Sequence, residues 1–172
     1  LALRLAQQSR TNRKWAVQIL TKIADIDMQR LDWRQALRIF EQLRSLQPDD
    51  KAARMQLVDI NLRLGQFPAA LKEIDDFVKI TEENQKTKEV IQFLNEIIKE
   101  NPENIDIRKR LMDAFIRYGH TSKAIQQMDT MADQLLDRGD KRGAIEMVEA
   151  IIAMNPPNSN QYRQLLQQIK SD

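Results

Sequence analysis

PDDKAARMQLVDINLRLG at residues 48–65 and PENIDIRKRLMDAFIRYG at residues 102–119 are two versions of one template, lying 54 residues apart. Pro, Arg, Leu, Asp, Arg and Gly recur in register as Pro48/Pro102, Arg54/Arg108, Leu57/Leu111, Asp59/Asp113, Arg63/Arg117 and Gly65/Gly119. The match continues without a gap through Ala70/Ala124, Asp75/Asp129, Ile91/Ile145, Ile97/Ile151, Ile98/Ile152 and Asn101/Asn155. Pro156 opens a third copy at the same interval. Carried backwards, the offset pairs Leu3 with Leu57, Ala16 with Ala70, Phe40 with Leu94 and Leu43 with Ile97; carried forwards, it pairs Leu111 with Leu165. The chain therefore reads as one helical-repeat domain over 1–172, with copies at 1–47 (partial), 48–101, 102–155 and 156–172 (partial). Fixed-period self-similarity is the signature of a solenoid, in which each unit contacts its neighbours and the array presents a long surface for binding.

Composition points to an all-α array. Gly and Pro are scarce, with 4 and 5 residues, and Leu, Ile, Ala, Gln and the charged residues dominate, so helix propensity meets no competing strand pattern. The residues that cannot continue a helix place its ends. In the copy at 102–155, helices are predicted over about 104–118, from Thr121 or Ser122 as N-cap to 137, and over 142–154, with Gly119, Gly139 and Asn155-Pro156 as the stops. The matching helices of the preceding copy are 50–64, 68–82 and 86–100. The first copy supplies a tail at 1–9 and helices at 13–30 and 33–46, and a last helix begins near Ser159. That makes about ten. Apolar spacing agrees: Leu20, Ile23, Ala24 and Leu31, or Leu71, Ile74 and Val78, recur at helical intervals. Links of two to five residues favour antiparallel neighbours.

Small residues, turn glycines and closing prolines then fall into a known order. Ala132, Gly139, Ala144 and Pro156 form one set, and Ala24, Ala36, Phe40 and Pro48 another, with Leu31 in the place of the turn glycine. Gly65, Phe67 and Ala70 give a third set without the closing proline, and Gln85 and Val90 stand for glycine and alanine in a fourth. This order resembles the tetratricopeptide repeat. The resemblance implies a right-handed α-solenoid whose concave face grips peptides. The family's usual unit is two helices in 34 residues; here three helices fill the period, so the middle helix serves as second member of one pair and first of the next. Alanine at the crossings has its own physical reason, since small side chains let helix axes approach to about 8 Å.

Catalytic chemistry finds no purchase. His120, the only histidine, adjoins the turn at Gly119 and reads as a solvated loop residue; serines at 9, 45, 122, 159 and 171 are scattered, so no Ser/His/Asp triad assembles. There is no glycine-rich phosphate loop, no metal-binding His/Cys spacing and no cysteine at all. Asp49-Asp50 and Asp75-Asp76 read as a helix N-terminus and a solvated face rather than a calcium loop. No enzyme, cofactor or metal is expected. Apolar runs fall short of the roughly 20 residues that span a bilayer, and the missing thiols agree with a cytoplasmic setting. The chain opens at Leu1 inside a helical pattern, as a fragment of a longer protein would.

Binding is the chemistry that remains. On the first helix of the copy at 48–101, Ala52, Gln56, Asp59 and Arg63 share a polar strip about 60° wide, flanked by Val58, Ile60 and Leu62 and backed by Leu57, Asn61 and Leu64. The next copy repeats the strip as Asp106, Arg110, Asp113 and Arg117, and the last offers Asn160, Gln164 and Gln167. A polar strip on an otherwise enclosed helix is what the inner wall of a solenoid requires. Its candidate partner-binding residues are Gln56, Asp59, Arg63, Asp106, Arg110, Asp113, Arg117 and Gln164, with the arginines meeting partner carboxylates and Asp59 and Asp113 orienting them. As plain i,i+4 pairs, Asp59/Arg63 and Asp113/Arg117 are instead worth about 0.3–0.5 kcal/mol each. The lysine–asparagine set of a carboxylate clamp is missing. Trp15, Trp33, Phe40, Phe67, Phe77, Phe93 and Phe115 are expected in the core, as are Met128, Met131, Met147 and Met154.

The expected function is a non-catalytic interaction scaffold that docks a partner peptide, helix or neighbouring domain along this groove. Two alternatives are a nucleic-acid-binding repeat, suggested by Arg4, Arg10, Arg13 and Lys14, and a structural module that self-associates through the ends of the array. A nucleic-acid partner is disfavoured, because the net charge is only +2 and residues 48–101 carry eleven acidic side chains against eight basic ones.

Overall fold

The computed structural model describes residues 10–171, with side chains from Asn12 onward. Nine α-helices and no strand occupy them: α1 (Arg10–Gln29), α2 (Trp33–Leu46), α3 (Lys51–Arg63), α4 (Phe67–Glu83), α5 (Thr87–Glu100), α6 (Ile105–Arg117), α7 (Thr121–Asp137), α8 (Lys141–Ala153) and α9 (Ser159–Ser171). Each expected helix from residue 13 onward has its counterpart. The tail expected over 1–9 lies outside the described residues. One cap is corrected: His120, not Thr121 or Ser122, stands at the head of α7, and its side chain makes no capping bond.

The turns repeat as faithfully as the helices. Leu31, Gly65, Gln85, Gly119 and Gly139 all take the left-handed conformation, with φ of 58°, 72°, 60°, 76° and 77°. The N–H of each following residue reaches back to the carbonyl five residues earlier: Asp32 to Asp27, Gln66 to Asn61, Lys86 to Thr81, His120 to Phe115 and Asp140 to Leu135, at 2.8–3.0 Å. This bond satisfies a helix-end carbonyl that would otherwise be orphaned. Acidic and amide side chains then start the next helices, with Asp32, Asp50, Asn104 and Asp140 each accepting from the backbone N–H three residues on.

Two compact units divide the described residues, one reaching to Phe93 and the other starting at Leu94. In the first, α1 packs on α2, α2 on α3 and α3 on α4. Ala24 and Ala36 are wholly buried within a cluster that includes Leu20, Phe40, Leu43, Leu57 and Ile60. Phe93 of α5 lies against Phe77 of α4, with ring centroids 4.3 Å apart. Each buried Leu, Ile or Phe side chain there stabilises the fold by about 1.5–3 kcal/mol. In the second unit, α6 packs on α7, α7 on α8 and α8 on α9. Leu111, Phe115, Met128, Met131, Ala144, Val148 and Ile151 are buried there.

Two aromatic expectations fail. Trp15 is 50% exposed and Phe67 56% exposed. Trp15 lies one residue off the buried row Ala16, Leu20 and Ala24, and Phe67 is the first residue of α4, ahead of the turn that Ala70 and Ile74 bury. No helix among the described residues is long and apolar enough to cross a membrane.

Candidate partner-binding groove

Three helices of the first unit enclose a groove of about 520 Å³. One wall is α1, through Thr21, Asp25, Met28 and Gln29. The floor is α2, through Phe40 and Leu43. The other wall is the head of α3, through Asp50, Ala52, Ala53 and Gln56. The geometry follows from length and spacing. Helix α2 is 14 residues against 20 for α1, and its buried stripe Ala36, Ile39, Phe40 and Leu43 sits between the two walls as their shared support.

Of the strip expected on α3, Ala52 and Gln56 reach this groove. Gln56 is half-buried, and its Oε1 is shielded from solvent with no hydrogen-bond partner. A buried acceptor left unpaired costs about 1–3 kcal/mol. Asp59 and Arg63 form the i,i+4 ion pair, with Arg63 Nε donating to Asp59 Oδ2 at 2.7 Å. The guanidinium carbon also stands 5.0 Å from the Trp33 ring centroid. Asp59 raises the Arg63 pKa further, through that hydrogen bond and its charge. Oxygen acceptor and indole face together fix the orientation of an otherwise exposed guanidinium.

In the second unit the strip on α6 is less gathered. Asp106 is exposed in the first turn, and its backbone carbonyl accepts from Arg110 Nη1 at 3.1 Å. Arg110 and Asp113 are half-buried, while Arg117 is exposed, 5.7 Å from the ring centroid of Tyr118. Gln164 is exposed on α9.

The α1 wall escaped the sequence reading, which placed the polar strip only on α3, α6 and α9. A signal was present: Thr21, Asp25 and Gln29 recur four apart, which aligns them on one helix face. Asp50 was read as a helix start and serves as one, accepting from Ala53 N–H at 3.1 Å, while also lining the groove. Of the basic stretch near the N-terminus, Arg13 is engaged structurally, since its Nη2 donates to the Leu46 carbonyl at the end of α2. Among the described residues, no cluster of three or more His, Cys, Asp or Glu could hold a metal ion.

Residues 21–84, from within α1 to the end of α4, match a family model described as tetratricopeptide repeat. Among solved structures, the chain is similar to BtubC from P. vanneervenii, with 15% identity over 99% of this chain and 79% of that one and a TM-score of 0.47. It is similar to MamA from Desulfovibrio magneticus RS-1, with 14% identity over 91% and 96% of the two chains and a TM-score of 0.39. For a tetratricopeptide repeat protein from Parabacteroides merdae, the values are 14% identity, 90% and 71% coverage and a TM-score of 0.36. No curated protein sequence matches this chain.

Proposed function

We propose, from the premise that this chain belongs to the tetratricopeptide-like superfamily of helical repeats, that it is an interaction scaffold seating a segment of a partner protein in the groove between α1 and α3. The observation that carries this reading is the groove's lining: an apolar floor of Phe40 and Leu43 between polar walls that include the Asp25 and Asp50 carboxylates. An extended or helical peptide supplies what that surface lacks, an apolar side chain for the floor and N–H donors for the walls. Gln56 and Arg63 lie seven residues apart on one face of α3, which at 1.5 Å per residue puts Arg63 about 10 Å further along the same track. Held by Asp59 and Trp33, Arg63 offers its Nη atoms to a partner carboxylate at little added cost in side-chain entropy. Asp106, Arg110, Asp113 and Arg117 on α6, with Gln164 on α9, form the corresponding contact strip of the second unit.

A photo-crosslinking residue at position 56 tests this. It should capture a partner polypeptide, whereas the same group at Lys72, which lies on α4 outside the groove lining, should not. Ala52→Trp, which fills the groove from an exposed position, should abolish the capture. Equal capture at 56 and 72, or capture indifferent to Ala52→Trp, would overturn the groove assignment.

A further inference from the structure

The groove is selective in charge. Its lining holds two ionisable side chains, both carboxylates: Asp25 on α1 and Asp50 at the head of α3. No lysine or arginine lines it. Asp50 Oδ1 accepts the N-cap bond from the Ala53 N–H, which leaves Oδ2 as a charged acceptor. Both charges in the groove therefore call for N–H donors, and a carboxylate or phosphate would meet like charge there.

The second unit carries the same bias at the same positions. Two periods on, Thr21, Asp25 and Gln29 become Asp129, Asp133 and Asp137, three carboxylates four residues apart on α7. That row faces α9, since Tyr162 Oη donates to Asp129 Oδ2 at 2.9 Å. Burial pushes the Asp129 carboxyl above its ordinary range and the Asp133 charge adds to the push, against the opposing Tyr162 hydrogen bond. The rows on α1 and α7 hold carboxylates with no lysine or arginine, whereas the intervening row on α4, Asp75, Lys79 and Glu83, holds one lysine.

Resting on the groove reading above, we propose that the occupant is a basic peptide segment, placing lysine or arginine side chains against Asp25 and Asp50 and an apolar side chain between them on Met28, Phe40 and Leu43. Two charge-assisted hydrogen bonds flanking one buried apolar contact define that ligand.

Fluorescence anisotropy with a labelled short peptide of alternating lysine and leucine, beside its glutamate–leucine counterpart, tests the assignment. The lysine peptide should bind and weaken with salt, and Asp25→Asn combined with Asp50→Asn should weaken it about tenfold or more, while the glutamate peptide should not bind. Asparagine caps a helix as well as aspartate does, so the double variant keeps the start of α3; the exposed Asp25→Asn alone gives the same direction without touching a cap. Lysine-peptide affinity unchanged in both variants would overturn the proposal, as would absence of lysine-peptide binding. Tighter binding of the glutamate peptide, lost in Ala52→Trp, would remove the basic occupant but keep the groove. Lysine-peptide binding indifferent to Ala52→Trp would remove the groove itself.

Discussion

Arg54 and Arg108 occupy the same position in successive copies, yet their surroundings differ. In the first unit Arg54 is 4% exposed; its Nε donates to the Pro48 carbonyl at 3.0 Å and its Nη1 to Glu73 Oε2 at 2.7 Å. Arg44 donates to the other oxygen of the same carboxylate. In the second unit Arg108 is only half-buried. Its Nη2 donates to the Pro102 carbonyl at 2.6 Å and its Nη1 to Gln127 Oε1 at 2.8 Å. Gln127 is the register counterpart of Glu73, and Ile98 that of Arg44. The backbone anchor is thus the same, an arginine clamping the carbonyl of the proline that opens the copy. What changes is the charge across from it. With an amide for a carboxylate, Arg108 turns so that Nε is buried without a partner, and burial lowers its pKa while Glu103 opposes the shift. Gln134 joins the same carbonyl at 2.9 Å, and its own Oε1 is left unpaired. The clamp is therefore a property of the repeat, and the ion pair a property of one copy.

The largest test of that difference is at Glu73. Glu73→Ala leaves Arg54 buried without a counter-charge, which should cost about 3–5 kcal/mol in urea unfolding. Glu73→Gln places the second unit's amide opposite Arg54 and should cost less, because an acceptor remains. The reciprocal Gln127→Glu should stabilise the second unit by about 0.5–1 kcal/mol, as a half-exposed pair would. If Glu73→Gln proved as damaging as Glu73→Ala, charge rather than acceptor geometry would hold the clamp.

A second comparison concerns the turns at 31, 85 and 139, which are one position in three copies. Gly139 takes φ of 77° freely, whereas Leu31 at 58° and Gln85 at 60° take it against the clash of Cβ with the backbone. Leu31 is 65% exposed, so little packing is lost with its side chain. Leu31→Gly should stabilise by about 0.5–1 kcal/mol, and Gly139→Ala should destabilise by about 1 kcal/mol. Thermal midpoints moving in the same direction for both would show that the three turns are not equivalent.

These turns also mark how far sequence reasoning reaches. Gly65, Gly119 and Gly139 announced their helix ends through the one residue type that takes positive φ without cost. Leu31 and Gln85 were legible only through the period, since nothing in their chemistry asks for a left-handed turn. The buried alanines at 24, 36, 70 and 144 were likewise found because register and residue size agree, and Val90 holds the same kind of position with no solvent exposure. The groove was half legible. Its α3 wall lay on a strip that repeats, but its α1 wall changes from Thr-Asp-Gln at 21, 25 and 29 to Asp-Asp-Asp at 129, 133 and 137, so no identity between copies drew attention to it. Likewise the side chain of Trp33 beneath Arg63 is a contact between helices, which a periodicity confined to one helix does not encode.

The smallest expected effect sits at the third member of the arginine series, Tyr162, where a hydroxyl replaces the guanidinium and bonds Asp129. Asp129 has its pKa raised chiefly by burial, so the folded chain holds that proton at pH values where the unfolded chain has released it. The contribution is fully present below the ordinary carboxylate pKa of about 4 and is lost as pH rises through the folded value. Tyr162 is also raised, first by burial and then by the Asp129 hydrogen bond and charge, and repeats the sign above pH about 10. The pair's contribution to stability should therefore decline across two windows, one just above pH 4 and one above pH 10. Asp129→Asn should flatten the first without removing the second, because burial still shields the phenol, though it should bring the second closer to the ordinary tyrosine range. Urea midpoints taken across both windows, with phenolate absorbance followed in the upper one, check each part. An acid window that survived Asp129→Asn unchanged would assign the decline to another carboxylate, and would leave the Tyr162 bond to Asp129 a neutral counterpart of the arginine clamps with no pH signature of its own.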